Sequence, residues 1–346
     1  MRTLFLIVSL VALTACTPAA SSPSASPSSA TSVTPTANAT STPAATASPT
    51  AVPTSSATPI ALPTVAFLAA AGNGVVWTLV GNSRLFRSRD RGDTWQERTT
   101  PAPPAPDTSS EIAFTSDTAG WVLRVASTPA ACFQQVVEIY RTTDGAATWQ
   151  KLATSGIGTT GCAQSLAFVD ANTGYFTSWD LSGSSRVFRT TDGGTTWTAS
   201  QPLPAPPGFS DAASANLRGG IVSDFSSSAL VSVIGLGGNQ QRAYVYRSAD
   251  HGATWTFASQ APAALQGVTV ITPTRWLQLV IAAQTNETTD GGASWHSYTT
   301  DYQQAAPVAP QVFFGDASTG YASVRGSIQR TTDGGAHWAP VTTPGT

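Results

Sequence analysis

Six aspartates stand at one place in one octapeptide. Asp90, Asp144, Asp192, Asp250, Asp290 and Asp333 are each third in the pattern Ser/Thr-x-Asp-x-Gly-x-Thr-Trp, which ends at Trp95, Trp149, Trp197, Trp255, Trp295 and Trp338. Carboxylates in such number could bind calcium or, two together, hydrolyse a glycosidic bond. Both chemistries need convergence: a calcium ion takes roughly six to eight oxygens, and each octapeptide supplies one carboxylate. An aspartate that accepts from nearby N–H groups, a glycine that takes positive φ and a tryptophan that packs beneath them instead describe a tight turn. The six copies are therefore expected to be structural, with no metal ligands and no catalytic residues among them.

The thiols are three. Arg2, the apolar run Leu4–Leu13 and small residues up to Cys16 read as an export signal over residues 1–15. From 16 to 60 the chain is almost wholly Ser, Thr, Pro and Ala, with no apolar surface to offset ordering, and is expected to be a disordered tether. Export makes Cys132 and Cys162 a plausible disulfide, and two separate buried thiols are the alternative.

The elements that position these residues follow from the spacing. Successive octapeptide tryptophans lie 54, 48, 58, 40 and 43 residues apart, a period that suits propeller blades. Each interval carries four short β-like runs, as in "IAFTS", "GWVLRVA", "VVEIYRT" and "TWQKLA". The fold expected for 61–346 is an all-β, six-bladed propeller of four-stranded antiparallel blades, with the repeated turn between strands three and four. A β-sandwich or β-helix is the alternative. The turns at Asp117, Asp170 and Asp316 should share the face of the repeated turns. The loops of the opposite face are the long and individual ones, and loops on a rigid scaffold are where binding residues gather. They offer Phe133, Gln134, Trp179, Asp180, Phe209, Asn239, Gln240, Gln241, Tyr302 and Gln303, which suit a glycan or an extended peptide. An arginine precedes the turn at Arg87, Arg141, Arg189, Arg247 and Arg330, with Glu287 in blade five; its repetition argues for pairing with turn carboxylates or carbonyls.

The octapeptides resemble the Asp-box, or bacterial neuraminidase repeat, of sialidases, some glycoside hydrolases, sortilin-type receptors and the photosystem II stability and assembly factor propellers. Ala146, Ser294 and His337 depart from the pattern. The layout Phe114 to Trp121, Phe168 to Tyr175 and Phe314 to Tyr321 looks most like the assembly-factor branch, whose members usually have seven blades. "LTAC" resembles the bacterial lipobox, which implies cleavage before Cys16, lipidation of its sulfur and an anchor in the bacterial cell membrane facing outward. A sialidase-like enzyme would need three arginines and a Tyr and Glu pair that no spacing here identifies. The expectation is a tethered binding or assembly propeller, a monomer without cofactor, whose partner is a protein or cell-envelope glycan; a sialidase-like glycoside hydrolase is the alternative. The net charge of −2 and the single lysine, Lys151, argue against nucleic acid.

Overall fold

The computed structural model describes residues 66–126, 137–158, 161–238, 241–264, 266–280, 284–303, 310–324 and 327–341. Blade one is β1 (Ala66–Gly72), β2 (Val75–Val80), β3 (Arg84–Ser88) and β4 (Gln96–Arg98), and blade two is β5 (Thr108–Phe114), β6 (Gly120–Ala126), β7 (Glu138–Thr142) and β8 (Gln150–Lys151). Blade three comprises β9 (Cys162–Phe168), β10 (Gly174–Trp179), β11 (Ser185–Thr190) and β12 (Thr198–Ala199). A four-residue helix, α1 (Ala212–Ala215), leads into blade four: β13 (Leu217–Asp224), β14 (Ala229–Gly235), β15 (Arg242–Ser248) and β16 (Thr256–Gln260). Blade five is β17 (Thr269–Val270), β18 (Trp276–Leu279), β19 (Gln284–Thr288) and β20 (His296–Thr299); blade six is β21 (Gln311–Phe314), β22 (Gly320–Val324), β23 (Ser327–Thr331) and β24 (Ala339–Val341). Every sheet is an antiparallel meander in chain order, and the six stand in a ring as a six-bladed β-propeller.

Burial follows position in the blade. The second strands are covered on both faces by neighbouring blades, so the first six residues of β6 are buried, apolar but for Arg124. The fourth strands are on the rim, and β8 and β12 are exposed throughout. Six apolar clusters fill the junctions between blades, including Leu68 and Val76 of blade one against Tyr321 and Ile328 of blade six. Among the described residues the ring therefore closes by packing, with no strand exchanged between the first and last sheets.

Two junctions show what the Phe-x5-Gly-Trp/Tyr layout does. Trp77 of β2 stacks on Phe114 of β5 with centroids 3.8 Å apart, and Trp121 of β6 stacks on Phe168 of β9 at 3.7 Å. Each phenylalanine also meets the octapeptide tryptophan of its own blade edge-on, Trp149 at 6.3 Å and Trp197 at 6.2 Å. Gly120 and Gly174 precede Trp121 and Tyr175 because the Phe114 and Phe168 rings lie flat over them; a Cβ would stand 2.1 and 2.4 Å from a ring carbon.

Candidate functional site

The repeated turns are chemically closed. In blade three, the Thr190 hydroxyl donates to Asp192 Oδ1 (2.8 Å) and accepts from the Gly194 amide (3.0 Å). Asp192 also accepts from the Thr196 amide (2.9 Å) and hydroxyl (2.6 Å). The exceptions keep the donor: the Ser294 hydroxyl reaches Asp290 Oδ2 at 2.5 Å, and His337 Nδ1 reaches Asp333 Oδ2 at 2.6 Å. Ala146, at the glycine position, accepts positive φ (60°) and is fully buried. Among the described residues no three His, Cys, Asp or Glu side chains gather as a metal ligand set.

These bonds tie the turns to acid stability. For Asp192, burial works upward, but the bonds from Thr196, Thr190 and Thr195 outweigh it and hold the carboxyl at about 2. Asp90 and Asp333 come to about 2 by the same balance. Asp290, bonded first by the Ser294 hydroxyl, is also near 2, and hydrogen bonds hold Asp144 and Asp250 well below the carboxylate range. An unfolded aspartate titrates near ~3.9. A depressed folded value stabilises above that pH and is lost as pH falls through the folded value. The melting temperature is thus expected to fall mainly between about pH 4 and pH 2, and a flat profile over that window would contradict the assignment.

Four of the recurrent arginines bond across to the next blade, whereas among the described residues no such bond joins Arg189 of blade three to blade four and its Nε has no partner. Arg87 Nη1 donates to the Asp117 carbonyl (2.9 Å), Arg141 Nη2 to Ala171 (3.0 Å), and Arg247 Nη2 to Pro273 (3.3 Å). Arg330 closes the ring on blade one through the Arg91 carbonyl (2.8 Å) and Asp93 (2.7 Å). Where blade five has Glu287, the arginine has moved: Arg275 pairs with Glu287 (2.6 Å) and reaches the Ala317 and Gly334 carbonyls of blade six. The glycine after the octapeptide aspartate makes room for the neighbour's guanidinium, since a Cβ on Gly193 would lie 2.5 Å from Arg141 Nη1.

The opposite face carries the loops in which binding residues were expected. Of the residues expected there, Phe133, Gln134, Asn239 and Gln240 lie outside the described residues, as do Cys16 and Cys132. Cys162 is disulfide-bonded. Tyr302, expected in a binding loop, is a core residue: it is buried and meets Trp338 edge-on at 5.9 Å, because the neighbouring Asp301 carboxylate accepts from the Trp338 amide (2.7 Å) and draws the segment inward. Gln303 is exposed, but its main chain is clasped by the Gln329 amide (2.9 and 2.5 Å). Phe209 packs half-buried against the core between blades three and four, and Gln241 is partly exposed just ahead of β15.

Trp179 and Asp180 do come together, and with residues the sequence did not single out. The Arg218 guanidinium lies 3.4 Å from the centroid of the Trp179 ring. Trp179 Nε1 donates to Gln164 Oε1 (3.2 Å), whose amide nitrogen in turn holds the Gly219 carbonyl. Trp179, Asp180, Asn216 and Arg218 line a pocket of about 410 Å3 between β10, α1 and the start of β13. Arg218 also lines the central channel, about 730 Å3, whose wall is built by the first strands of all six blades. In that wall, burial raises the Glu111 carboxyl, although the Leu166 and Ser165 amides bond to it and work in the opposite sense. A bulge in β9, with Ser165 at φ 60°, turns those amides toward Glu111. The one sequence signal for Arg218 was its place inside the longest interval between octapeptides.

No family model matches the chain, and no curated protein matches it. Among solved structures, a Hadza microbial sialidase superposes with a TM-score of 0.53 at 12% identity, covering 81% of this chain and 66% of that one. A protein of unknown function from Dyadobacter fermentans superposes at 0.52 with 13% identity, over 84% and 98%. These two likenesses show the propeller fold alone. YCF48 bound to a D1 peptide matches at 0.47 with 15% identity, over 80% and 96%.

Proposed function

We propose that this chain is an exported, membrane-tethered binding propeller of the Asp-box type, which recognises a protein or a cell-envelope glycan through the non-octapeptide mouth of its channel and does no catalysis. In this reading residues 1–15 are removed, Cys16 carries the lipid and 16–60 hold the propeller away from the membrane. The observation that carries it is the division of labour between faces. Each aspartate of the repeated turns is consumed by its own turn, whereas Trp179 and Arg218 border an open pocket on the other side.

A glycoside hydrolase needs two carboxylates facing one bond across roughly 5 to 9.5 Å. Glu111, raised by burial, is taken up by the Leu166 and Ser165 amides. Asp180, the carboxylate nearest the pocket, is spent on its own turn, accepting from the Ser182 and Ser184 amides. Asp224 and Asp316 border the channel but are taken by Tyr175 and His251, and by the Ser318 and Thr319 amides.

Crosslinking and capture from the native membrane test the proposal. The wild-type chain should retain an envelope component and turn over no chromogenic glycoside, and Cys16→Ser should move the chain to the soluble fraction. Asp192→Ala should cost about 1–3 kcal/mol in stability and leave capture by the folded protein unchanged. Normal stability with abolished capture would place binding on the octapeptide face instead.

A further inference from the structure

In the link from blade three to blade four, every residue of Gln-Pro-Leu-Pro-Ala-Pro-Pro, 201–207, is a proline or the residue before one. Proline fixes φ near about −65° and holds its predecessor in extended backbone, so the polyproline II conformation is set here by the sequence, ahead of any packing. Residues 201–206 accordingly join no strand or helix, and their burial repeats every third residue: Leu203 and Pro206 are buried, whereas Gln201, Pro204 and Pro207 are exposed. That is the turn of polyproline II, with one edge docked on the propeller and another facing solvent. The docked edge is firmly held. Leu203 has no exposed surface in the core between blades three and four, its amide donates to the Ser185 carbonyl (2.8 Å), and the Tyr246 hydroxyl donates to the Pro204 carbonyl (2.7 Å). Gly208, at φ 92°, then turns the chain away. The link from blade one to blade two, Pro-Ala-Pro-Pro-Ala-Pro at 101–106, is made the same way: Pro101 is buried, Pro103 and Pro106 are exposed, and Asp107 at φ 59° ends it.

Holding the link in place is the work of Leu203 and Pro206. Pro204 and Pro207 instead present apolar rings on the solvent side, three residues and so roughly 9 Å apart. A proline-rich composition does not by itself produce this spacing: the tether has eight prolines between 17 and 59, and no two of them lie three apart. Prolines at i and i+3 on a polyproline II ridge are what an aromatic-lined groove reads, and a ridge already fixed by its own fold loses little freedom on docking. Both links follow a fourth strand and therefore lie on the face away from the octapeptides. We infer that residues 201–207 are a docking ridge for a partner protein with an aromatic-lined groove, which takes Pro204 and Pro207. The inference rests on the binding reading above and narrows its partner to a protein.

Photo-crosslinking and capture with the full-length chain in its native membrane test it. Benzoylphenylalanine incorporated at the exposed Gln201 should crosslink to a protein, at a stretch of that protein containing Trp or Tyr. A synthetic peptide of residues 200–209 should compete for the same protein, and the peptide carrying Pro204→Ala and Pro207→Ala should compete at least tenfold less well. The full-length chain with Pro204→Gln and Pro207→Gln should retain the protein at least tenfold more weakly while melting within a few degrees of wild type, because both positions are exposed; should that variant fold poorly, the peptide pair decides. Equal competition by the two peptides, undiminished retention by the folded double variant, or a retained component that survives protease and is a glycan would each overturn the docking ridge. If wild type and double variant retain the same component alike, this inference falls and the binding reading stands. If wild type retains no envelope component, the binding reading falls and takes this inference with it.

Discussion

Trp121→Ala is expected to destabilise the propeller by about 3–5 kcal/mol, the cost of truncating a fully buried aromatic whose site cannot collapse. Trp121 has no exposed surface, and it serves three partners at once. Its ring stacks flat on Phe168 of the next blade, its Nε1 donates to the Gly193 carbonyl there (2.9 Å), and Arg141 lies over its other side at 5.5 Å. Alanine would open a void between blades two and three and leave the Gly193 carbonyl without that donor. The surrounding first and second strands belong to rigid sheets, so little relaxation is available to fill it. The denaturant midpoint, followed by tryptophan fluorescence, measures the loss. A change below about 1 kcal/mol would mean that the blades are not held by this stack and would move the weight to the arginine bridges.

The architecture was legible because it is written as a repeat. The period of the octapeptide set the blade count, and alternating apolar runs set four strands per blade, since each local rule recurs six times and agrees with its neighbours. Among the candidate binding residues, the places of Trp179 and Asp180 followed from topology because their loop is short: Trp179 ends a strand and Asp180 begins its turn. Tyr302 misled because an aromatic in a loop carries no mark of the direction it faces, and only the Asp301 bond to the Trp338 amide reveals that it turns inward. Arg218 escaped because its stacking on Trp179 joins two neighbouring blades, a relation that the β-strand pattern of residues 217–224 does not carry. The shift of the blade-five arginine from the usual strand-three position to Arg275 was half visible, since Glu287 showed that something had been exchanged without showing where its partner stood.

Breaking the disulfide at Cys162 is the second change with a large expected effect, and it reaches the candidate site directly. Cys162 opens β9 and is the register partner of Trp179 across β10, so the bridge is anchored beside the residue that carries Arg218. We propose Cys132 as the other half. The closed loop is then about thirty residues, worth roughly 3–4 kcal/mol in the chain-entropy model. Cys162→Ser in oxidising buffer should lower stability by that amount, and Cys132→Ser should match it, since either leaves the same loop open. Reductant should bring the wild type down to the level of the variants and leave the variants unmoved. Because the strand end that holds Trp179 loses its tie, the variants should also bind their ligand more weakly than their stability alone explains. A wild-type melting temperature indifferent to reductant, or two free thiols titrated in the unfolded, unreduced chain, would show that no such bridge supports the fold.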